Sequence, residues 1–272
     1  MANLLEERNY YKPFNYPWAF EAYKMQQQMH WMPEEVNLAD DLKDFREKLS
    51  EGNKKLLTQI FRFFTQADVD VADGYATHYL PTFKQPEVRM MLSAFASMEA
   101  VHQEAYALLL DTLGYDEREY KMFSEIQTMA DKHDYLTNFN MKNPFEMAKT
   151  LAVYSGFTEG VQLFSSFAIL LNFPRHNLMK GMGQIVTWSI RDESLHVESM
   201  SNLFKTFIRE NPLEWNDKLK YEIYCAGERV VELEDAFIDT CFENAEIPEL
   251  TAEEVKAYIR YIADRRLLGL GL

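Results

Sequence analysis

Four segments of this sequence place acidic or histidine side chains inside stripes that are otherwise apolar, at helical three- and four-residue spacing. The first stripe reads Phe61, Phe64, Asp68, Val71 and Tyr75. Residues spaced in this way lie above one another on one helix face, and such an apolar face packs against a protein core. The feature therefore predicts long helices around an interior that contains ionisable groups.

Three further stripes repeat the pattern later in the chain. They read Phe95, Glu99, His102, Tyr106 and Leu109; then Ala152, Gly156, Glu159, Leu163 and Phe167; then Val186, Ile190, Glu193, His196 and Met200. On the first helix, the opposite face carries Arg62, Asp70 and Asp73, and we interpret these two acids as solvated. Four helices are thus predicted to contribute side chains to one polar centre.

Turn-forming residues are scarce, since the 272 residues include only 10 glycines and 9 prolines. Few turns favour few, long helices, and no segment shows the convincing alternation of a strand. Pro86 and Gly114 are typical of a helix start and stop, and Thr251 with Glu254 forms a capping box. Without a linker-like stretch, we predict one all-α domain over 1–272 with an irregular segment at 1–17. The predicted helices cover 18–31, 53–80, 86–113, 116–138, 144–171, 174–211, 212–244 and the segment after 251.

Charge and cysteine content exclude several classes of function. The chain has 43 acidic and 28 basic residues, a net charge of -15, which disfavours nucleic-acid binding and anionic membrane surfaces. No segment reaches the roughly 18 consecutive apolar residues of a membrane span, and the first residues do not resemble a signal peptide. Cys225 and Cys241 do not form a disulfide framework, which favours a reduced, cytoplasmic setting.

The acids on the apolar stripes need a source of positive charge, because an unpaired buried carboxylate is costly. No Lys or Arg occupies these stripes. Two divalent metal ions would supply the charge. Glu99 with His102, and Glu193 with His196, form Glu-x-x-His pairs whose two side chains share a helix face and can bind the same ion.

A lone acid precedes each of these pairs by a similar interval. Asp68 lies 31 residues before Glu99, and Glu159 lies 34 residues before Glu193. This pseudo-two-fold set is the arrangement found in ferritin-like di-iron and di-manganese carboxylate proteins, which bind their metals inside a four-helix core. The predicted metal ligands are Asp68, Glu99, His102, Glu159, Glu193 and His196.

On these motifs the sequence resembles the radical-generating small subunit of class I ribonucleotide reductase, over nearly the whole chain. The matching segments are WMPEE from Trp31, FFTQAD from Phe63, MEAVH from Met98, RDESLH from Arg191 and ADRR from Ala263. The resemblance implies a ferritin-like bundle, the same six ligands and two metal ions per chain. Iron is the expected metal, and manganese or a mixed Mn/Fe pair is also compatible with this ligand set.

The resemblance also implies roles for four further positions. The family's radical tyrosine falls on Tyr106, and its long-range electron-transfer residues fall on Trp31, Asp192 and His102. In such proteins the radical initiates the reduction of ribonucleotides to deoxyribonucleotides in a separate large catalytic subunit. A homodimer is also implied. The sequence does not distinguish ribonucleoside diphosphates from triphosphates as the substrate.

Two features depart from the family pattern. The family normally ends in a flexible tail that docks on the large subunit, and no such segment follows Arg266 before the last residue, Leu272. Ser189, four residues before Glu193, places a hydroxyl near a pocket that is often apolar in this family.

Three other functions share part of this evidence. A dimetal oxidase or monooxygenase would use the same six ligands, but it would need a substrate cavity and no Trp31–Asp192–His102 path. An iron-storage protein of ferritin type would not explain Tyr106 beside the metals. A metal-free helical scaffold would treat His102 and His196 as ordinary core histidines.

Overall fold

Helices dominate the computed structural model, which describes residues 3–136, 139–243 and 245–272. No strand occurs within these ranges, so the all-α prediction is confirmed. Positions 1–2, 137–138 and 244, which fall in predicted segments, lie outside this description. The α-helices are α1 (Pro17–Gln28), α2 (Ala39–Glu47), α3 (Glu51–Asp73), α4 (Leu80–Thr82), α5 (Pro86–Leu113), α6 (Gln127–Leu136), α7 (Pro144–Val153), α8 (Phe164–Arg175), α9 (Lys180–Glu210), α10 (Asp217–Glu243) and α11 (Ala252–Leu270).

Three of these helices, α3, α5 and α9, surround the polar centre together with the segment that joins α7 to α8. Most apolar members of the predicted stripes are buried there, including Phe61, Phe64, Phe95 and Val186, whereas Ile190 is half-buried. Helix α3 packs along α5, and α1 crosses both α5 and α9. Burying these faces drives the helices together, since an amphipathic helix gains most of its stability from tertiary packing. The single-domain prediction remains a prediction.

Two predicted helices contain π-helical segments where we expected continuous α-helix. One covers Gly74–Tyr79 in the predicted helix 53–80, and the other covers Tyr154–Thr158 in the predicted helix 144–171. After the second segment the chain passes through turns before α8 begins. A π-helical turn rotates the residues that follow it relative to a regular helix, and such turns are frequent at functional sites. These two segments lie next to the polar centre.

The predicted start of the helix over 174–211 is wrong. Pro174 lies in the last turn of α8, and α9 begins only at Lys180. Between the two helices, Asn177 and Met179 adopt left-handed backbone conformations, with φ of 59° and 51°. These residues reverse the chain, so a proline that is typical of a helix start here precedes a turn instead.

Carboxylates from α2, a helix that the sequence patterns did not predict, cap the beginning of α9. Asp41 accepts hydrogen bonds from the backbone N–H groups of Gly181 (2.9 Å) and Met182 (2.7 Å). Asp44 accepts one from the N–H of Met179 at 3.0 Å. The first N–H groups of a helix lack partners within the helix and attract negative charge. Because the caps come from about 140 residues away in sequence, local patterns do not reveal them.

The predicted boundaries of α5 and the predicted start of α11 agree with the structure. Helix α5 begins at Pro86, and Gly114 follows its end with a φ of 87°. At α11, Thr251 Oγ1 accepts a hydrogen bond from the N–H of Glu254 at 3.3 Å. The Glu254 carboxylate in turn accepts one from the N–H of Thr251 at 2.9 Å, which completes the predicted capping box. Within the described residues, none of the helices has the length and apolar composition needed to cross a bilayer.

A fully buried ion pair joins α6 to α10. Lys132 Nζ lies 2.6 Å from Glu234 Oε1 and donates to the backbone oxygen of Gln162 at 2.7 Å. Ser165 donates a further hydrogen bond to Glu234, and the Lys132 ammonium lies 4.0 Å from the centroid of the Phe237 ring. Burial lowers the pKa of Lys132, and the Glu234 charge opposes that shift. The pair therefore holds its charges inside the core only because each charge has a partner.

Lys132→Met is expected to lower the free energy of unfolding by about 3–5 kcal/mol, because it leaves Glu234 buried without its cation. The double variant Lys132→Met/Glu234→Gln should recover most of this loss, since the amide keeps a polar partner for Ser165. Arg229→Met, which breaks the exposed ion pair with Glu232, should cost less than about 1 kcal/mol. Urea unfolding measures all three, and an equal loss in Lys132→Met and Arg229→Met would contradict the expectation.

Candidate metal centre

All six predicted metal ligands meet in one buried cluster. Asp68 lies on α3, and Glu99 and His102 lie on α5. Glu159 lies in the turn after the second π-helical segment, and Glu193 and His196 lie on α9. None of the six is more than 2% exposed. Two groups form, each with ligand atoms within 4.8 Å of one another: Asp68, Glu99 and His102; and Glu99, Glu159, Glu193 and His196. Glu99 belongs to both groups, so its carboxylate could contribute to holding an ion in either one.

Both histidines direct Nδ1 towards the carboxylates. His102 Nδ1 lies 3.3 Å from Glu99 Oε2 and 3.3 Å from Glu193 Oε1. His196 Nδ1 lies 2.9 Å from Glu99 Oε1. The Glu-x-x-His spacing accounts for the contact of His102 with Glu99, because residues three apart share a helix face, and the packing of α5 against α9 accounts for the other two contacts. Nδ1 is therefore the nitrogen of each imidazole that a metal ion would use.

The other nitrogen of each histidine has its own polar partner. His102 Nε2 lies 3.3 Å from Asp192 Oδ2, and His196 Nε2 lies 3.0 Å from Gln26 Oε1. The Gln26 amide nitrogen also donates to Asp192 Oδ1 at 3.3 Å. Such partners fix the orientation and tautomer of metal-binding imidazoles. Sequence reasoning missed Gln26, because only the packing of α1 against α9 shows which glutamine of this helix turns inward.

Several ligand-type atoms in the cluster are buried without a hydrogen-bond partner in the described structure. They are one oxygen of each of three carboxylates: Asp68 Oδ2, Glu159 Oε2 and Glu193 Oε2. Burying a polar atom without a partner costs free energy, so this many together require another interaction. Carboxylate oxygens and imidazole nitrogens bind iron and manganese ions. The residues present therefore fit a pair of divalent cations.

The pKa shifts of the cluster residues also favour bound cations. Burial raises the pKa of Asp68, Glu159 and Glu193, and the neighbouring Glu99 charge raises each further. Burial also acts against ionisation of Glu99, yet hydrogen bonds from the two histidines lower its pKa to about 2. Burial alone would lower the pKa of His102, but its hydrogen bonds, first that to Asp192, raise it. Asp68, Glu159 and Glu193 can thus be ionised beside Glu99 only with added positive charge, which metal ions would supply.

The structure places Asp70 away from this cluster, as its side of α3 predicts. It lies 2.5 Å from His133 Nδ1 and accepts a hydrogen bond from Gln66 at 3.1 Å. Asp70 is half-buried rather than solvated, which corrects the prediction in part. Arg62, on the same predicted outer face, is buried over the ring of Tyr115 at 5.8 Å. The segment after α5 packs over this side of α3. Helix periodicity shows which residues share a face, but it does not show whether another segment covers that face.

Tyr106 lies in a largely apolar pocket next to the cluster. Its hydroxyl donates a hydrogen bond to Ser189 Oγ at 3.1 Å. Its ring packs on Phe64, with ring centroids 4.7 Å apart, and Phe64 in turn contacts Phe167 at 5.1 Å. Burial raises the pKa of the Tyr106 phenol, and the charge of Asp68 adds to this effect. The phenol therefore stays protonated at neutral pH and is shielded from water.

Trp31, Asp192 and His102 form a continuous chain of contacts. The indole Nε1–H of Trp31 donates to Asp192 Oδ2 at 2.7 Å, and His102 Nε2 lies 3.3 Å from the same oxygen. The Trp31 and His102 ring centroids are 6.0 Å apart. Trp188, which sequence reasoning missed, packs on Trp31 at 5.1 Å. The trio that the resemblance implied is thus assembled between the cluster and α1.

Two tyrosines from the π-helical segments support Glu159 and its surroundings. The Tyr75 hydroxyl donates to Glu159 Oε1 at 2.5 Å. The Tyr154 hydroxyl donates to the backbone oxygen of Val71 at 2.9 Å, and the two rings meet edge to face at 5.4 Å. The sequence placed Tyr75 on the inward stripe but did not indicate that it orients Glu159. Tyr154 carried no signal in the sequence.

Comparisons with known proteins agree with this geometry. The family described as "Ribonucleotide reductase, small chain" matches residues 8–272. The probable ribonucleoside-diphosphate reductase small subunit of Invertebrate iridescent virus 6 is 44% identical, and the match covers 99% of this chain and 84% of the viral protein.

Solved structures share the fold at lower identity. The ribonucleotide reductase R2 subunit from Clostridium botulinum superposes with a TM-score of 0.85 at 24% identity, covering 95% of this chain and 83% of the other. Dimanganese(II)-NrdF of Streptococcus sanguinis gives a TM-score of 0.81 at 22% identity, covering 96% and 93%. These likenesses confirm the predicted ferritin-like helical fold.

Proposed function

Because this chain belongs to the ribonucleotide reductase small-chain family, we propose that its buried cluster binds two metal ions that generate a radical on Tyr106. As a ribonucleotide reductase small subunit, it is part of an oxidoreductase. One observation carries the proposal: the six ligands are buried together, and three of their carboxylate oxygens have no hydrogen-bond partner in the described structure. Tyr106 lies one helical turn after the ligand His102.

The proposed ligands are Asp68, Glu99, His102, Glu159, Glu193 and His196. Iron is the proposed metal, and manganese is equally compatible with four carboxylates and two imidazoles. The solved Streptococcus sanguinis relative contains dimanganese(II). When bound and oxidised by dioxygen, the metal pair would supply the one-electron oxidant. Tyr75 holds Glu159, while Asp192 and Gln26 hold the two histidines, so hydrogen bonds from the protein orient three of the proposed ligands.

Tyr106 is the residue that we propose stores the oxidising equivalent. Phe64 and Phe167 exclude water from its ring, and a dry pocket protects a radical from side reactions. The hydrogen-bonded path from His102 through Asp192 to Trp31 would then carry the equivalent away from the cluster. We propose that its destination is a separate large catalytic subunit, which binds the ribonucleotide.

Trp31→Phe tests this path, because it removes the Nε1–H that binds Asp192 and replaces the indole with a ring that is harder to oxidise. We expect unchanged metal content and an unchanged Tyr106 radical, with deoxyribonucleotide formation in the presence of the large subunit reduced to background. Trp215→Phe, at a tryptophan that packs on Phe204, is the matched control and should retain turnover. Wild-type turnover in Trp31→Phe would disprove the proposed route.

Two further parts of the proposal concern the assembly and its setting. We propose a homodimer, as the family resemblance implies. Sedimentation at micromolar concentration should show about twice the mass of the 32.0 kDa chain, and a monomer there would count against the dimer.

Cys225 and Cys241 are both free, which supports a reducing compartment such as the cytoplasm.

A further inference from the structure

The hydroxyl of Ser189 is the hydrogen-bond partner of the Tyr106 phenol. Ser189 lies on α9, four residues before the proposed ligand Glu193, and is 1% exposed. Its Oγ accepts a hydrogen bond from Tyr106 at 3.1 Å. The same Oγ donates to the backbone oxygen of Ile185 at 3.1 Å. In the reduced protein, therefore, Ser189 acts as an acceptor towards Tyr106 and as a donor towards its own helix.

Little else in this pocket offers a hydrogen bond to the phenol. Its ring lies against Phe64, and Ser189 is the hydrogen-bond partner of the hydroxyl among the described residues. Asp68 acts on Tyr106 through its charge. As a metal ligand Asp68 would be ionised, and an ionised carboxylate only accepts, so Asp68 would not donate to a phenol oxygen that has lost its hydrogen. A serine hydroxyl both donates and accepts.

The donor bond of Ser189 can be released at low cost. Its acceptor, the Ile185 carbonyl, lies within α9 and is also the regular partner of the Ser189 backbone N–H, four residues on. If the hydroxyl turns away, that carbonyl keeps its helical hydrogen bond and no buried group loses its last partner. Rotation about a single Cβ–Oγ bond is then sufficient to direct the hydroxyl hydrogen at Tyr106.

We propose that Ser189 is a positioning residue that donates a hydrogen bond to the oxygen of the oxidised Tyr106. The inference rests on the proposed function, because it concerns the neutral radical that remains once the phenol has lost one electron to the dioxygen-oxidised metal pair and one proton to the carboxylate cluster. Ser189 itself is neither oxidised nor deprotonated. Its hydroxyl exchanges one acceptor, the Ile185 carbonyl, for another, the radical oxygen, and so fixes the orientation of the ring.

High-field EPR and deuterium ENDOR of the metal-loaded, oxidised protein in D2O test the proposal. In the wild type we expect one exchangeable deuteron coupled to the tyrosyl radical. Ser189→Ala should lose that coupling and raise the largest g-value of the radical, because a hydrogen bond to the radical oxygen lowers it. Ser189→Thr, which keeps a hydroxyl that can bond within a helix, should restore both signatures.

Ser194→Ala is the matched control. The Ser194 hydroxyl also donates to a carbonyl four residues earlier, that of Ile190 at 2.7 Å, but it is exposed. We expect wild-type spectra from this variant. The metal content of every variant should equal that of the wild type, which separates an effect on the radical from an effect on the cluster.

The possible results distinguish this inference from the function on which it rests. A wild-type protein that binds metal but forms no tyrosyl radical overturns the proposed function. A wild-type radical without an exchangeable coupling, or a Ser189→Ala radical that retains one, overturns the role of Ser189 alone. If Ser189→Ala does not fold, the wild-type spectra in H2O and D2O, together with Ser189→Thr, still decide the matter.

Discussion

Tyr106→Phe is expected to abolish the organic radical while leaving the metal content unchanged. The phenol is the oxidisable group closest in sequence to the ligand His102 on the same helix face, and its pocket is dry. Phenylalanine has no hydroxyl hydrogen to lose and resists one-electron oxidation. Only the hydrogen bond to Ser189 is removed, so the packing around Phe64 should persist. EPR after metal loading and exposure to oxygen measures the radical, and elemental analysis measures the metal.

Tyr79→Phe provides the control for this experiment. Tyr79 is fully buried like Tyr106, and its hydroxyl has no hydrogen-bond partner within the described structure. Its replacement should leave the radical signal at wild-type intensity. An undiminished signal in Tyr106→Phe would refute the radical assignment and favour a dimetal oxidase on the same scaffold.

Glu159→Ala should lower the metal content from about two ions to about one per chain. Glu159 belongs to only one of the two ligand groups, so the group of Asp68, Glu99 and His102 remains intact. The variant also deprives the Tyr75 hydroxyl of its acceptor, which weakens the surroundings of the depleted site. Equilibrium dialysis followed by elemental analysis of the folded protein measures the loss.

Asp70→Ala is the matched control, since Asp70 is a nearby acid of α3 that pairs with His133 instead of joining the cluster. Its metal content should stay at the wild-type value. Equal losses from Asp70→Ala and Glu159→Ala would show that the assignment of inward and outward acids is incorrect.

The positions of the proposed ligands could be predicted because helix periodicity is a local property. A carboxylate such as Asp68 within an apolar stripe is conspicuous, and two residues later Asp70 has already rotated away from the stripe. The Glu-x-x-His spacing adds a second local signal, which the structure reproduces in the approach of His102 to Glu99. The all-α fold followed from the same periodicity.

The remaining features depend on contacts between distant segments. Asp41 caps α9 from another helix, and Gln26 reaches His196 only after α1 has packed. The π-helical segments interrupt stretches that read as regular helix, and no local pattern indicates them, although Tyr75 and Glu159 face inward as predicted. Pro174 suggested a helix start because proline is favoured in the first turn of a helix, but here it lies in the last turn of α8. Propensity and spacing do not contain this information.

Low-temperature EPR of the wild-type chain, loaded with iron(II) and then exposed to oxygen, tests most directly whether the dimetal centre and Tyr106 act together. We expect a tyrosyl radical whose spin relaxation is accelerated by the neighbouring metal ions, in a protein that contains about two ions per chain. A protein that binds two ions and consumes oxygen without forming an organic radical would contradict the proposed function.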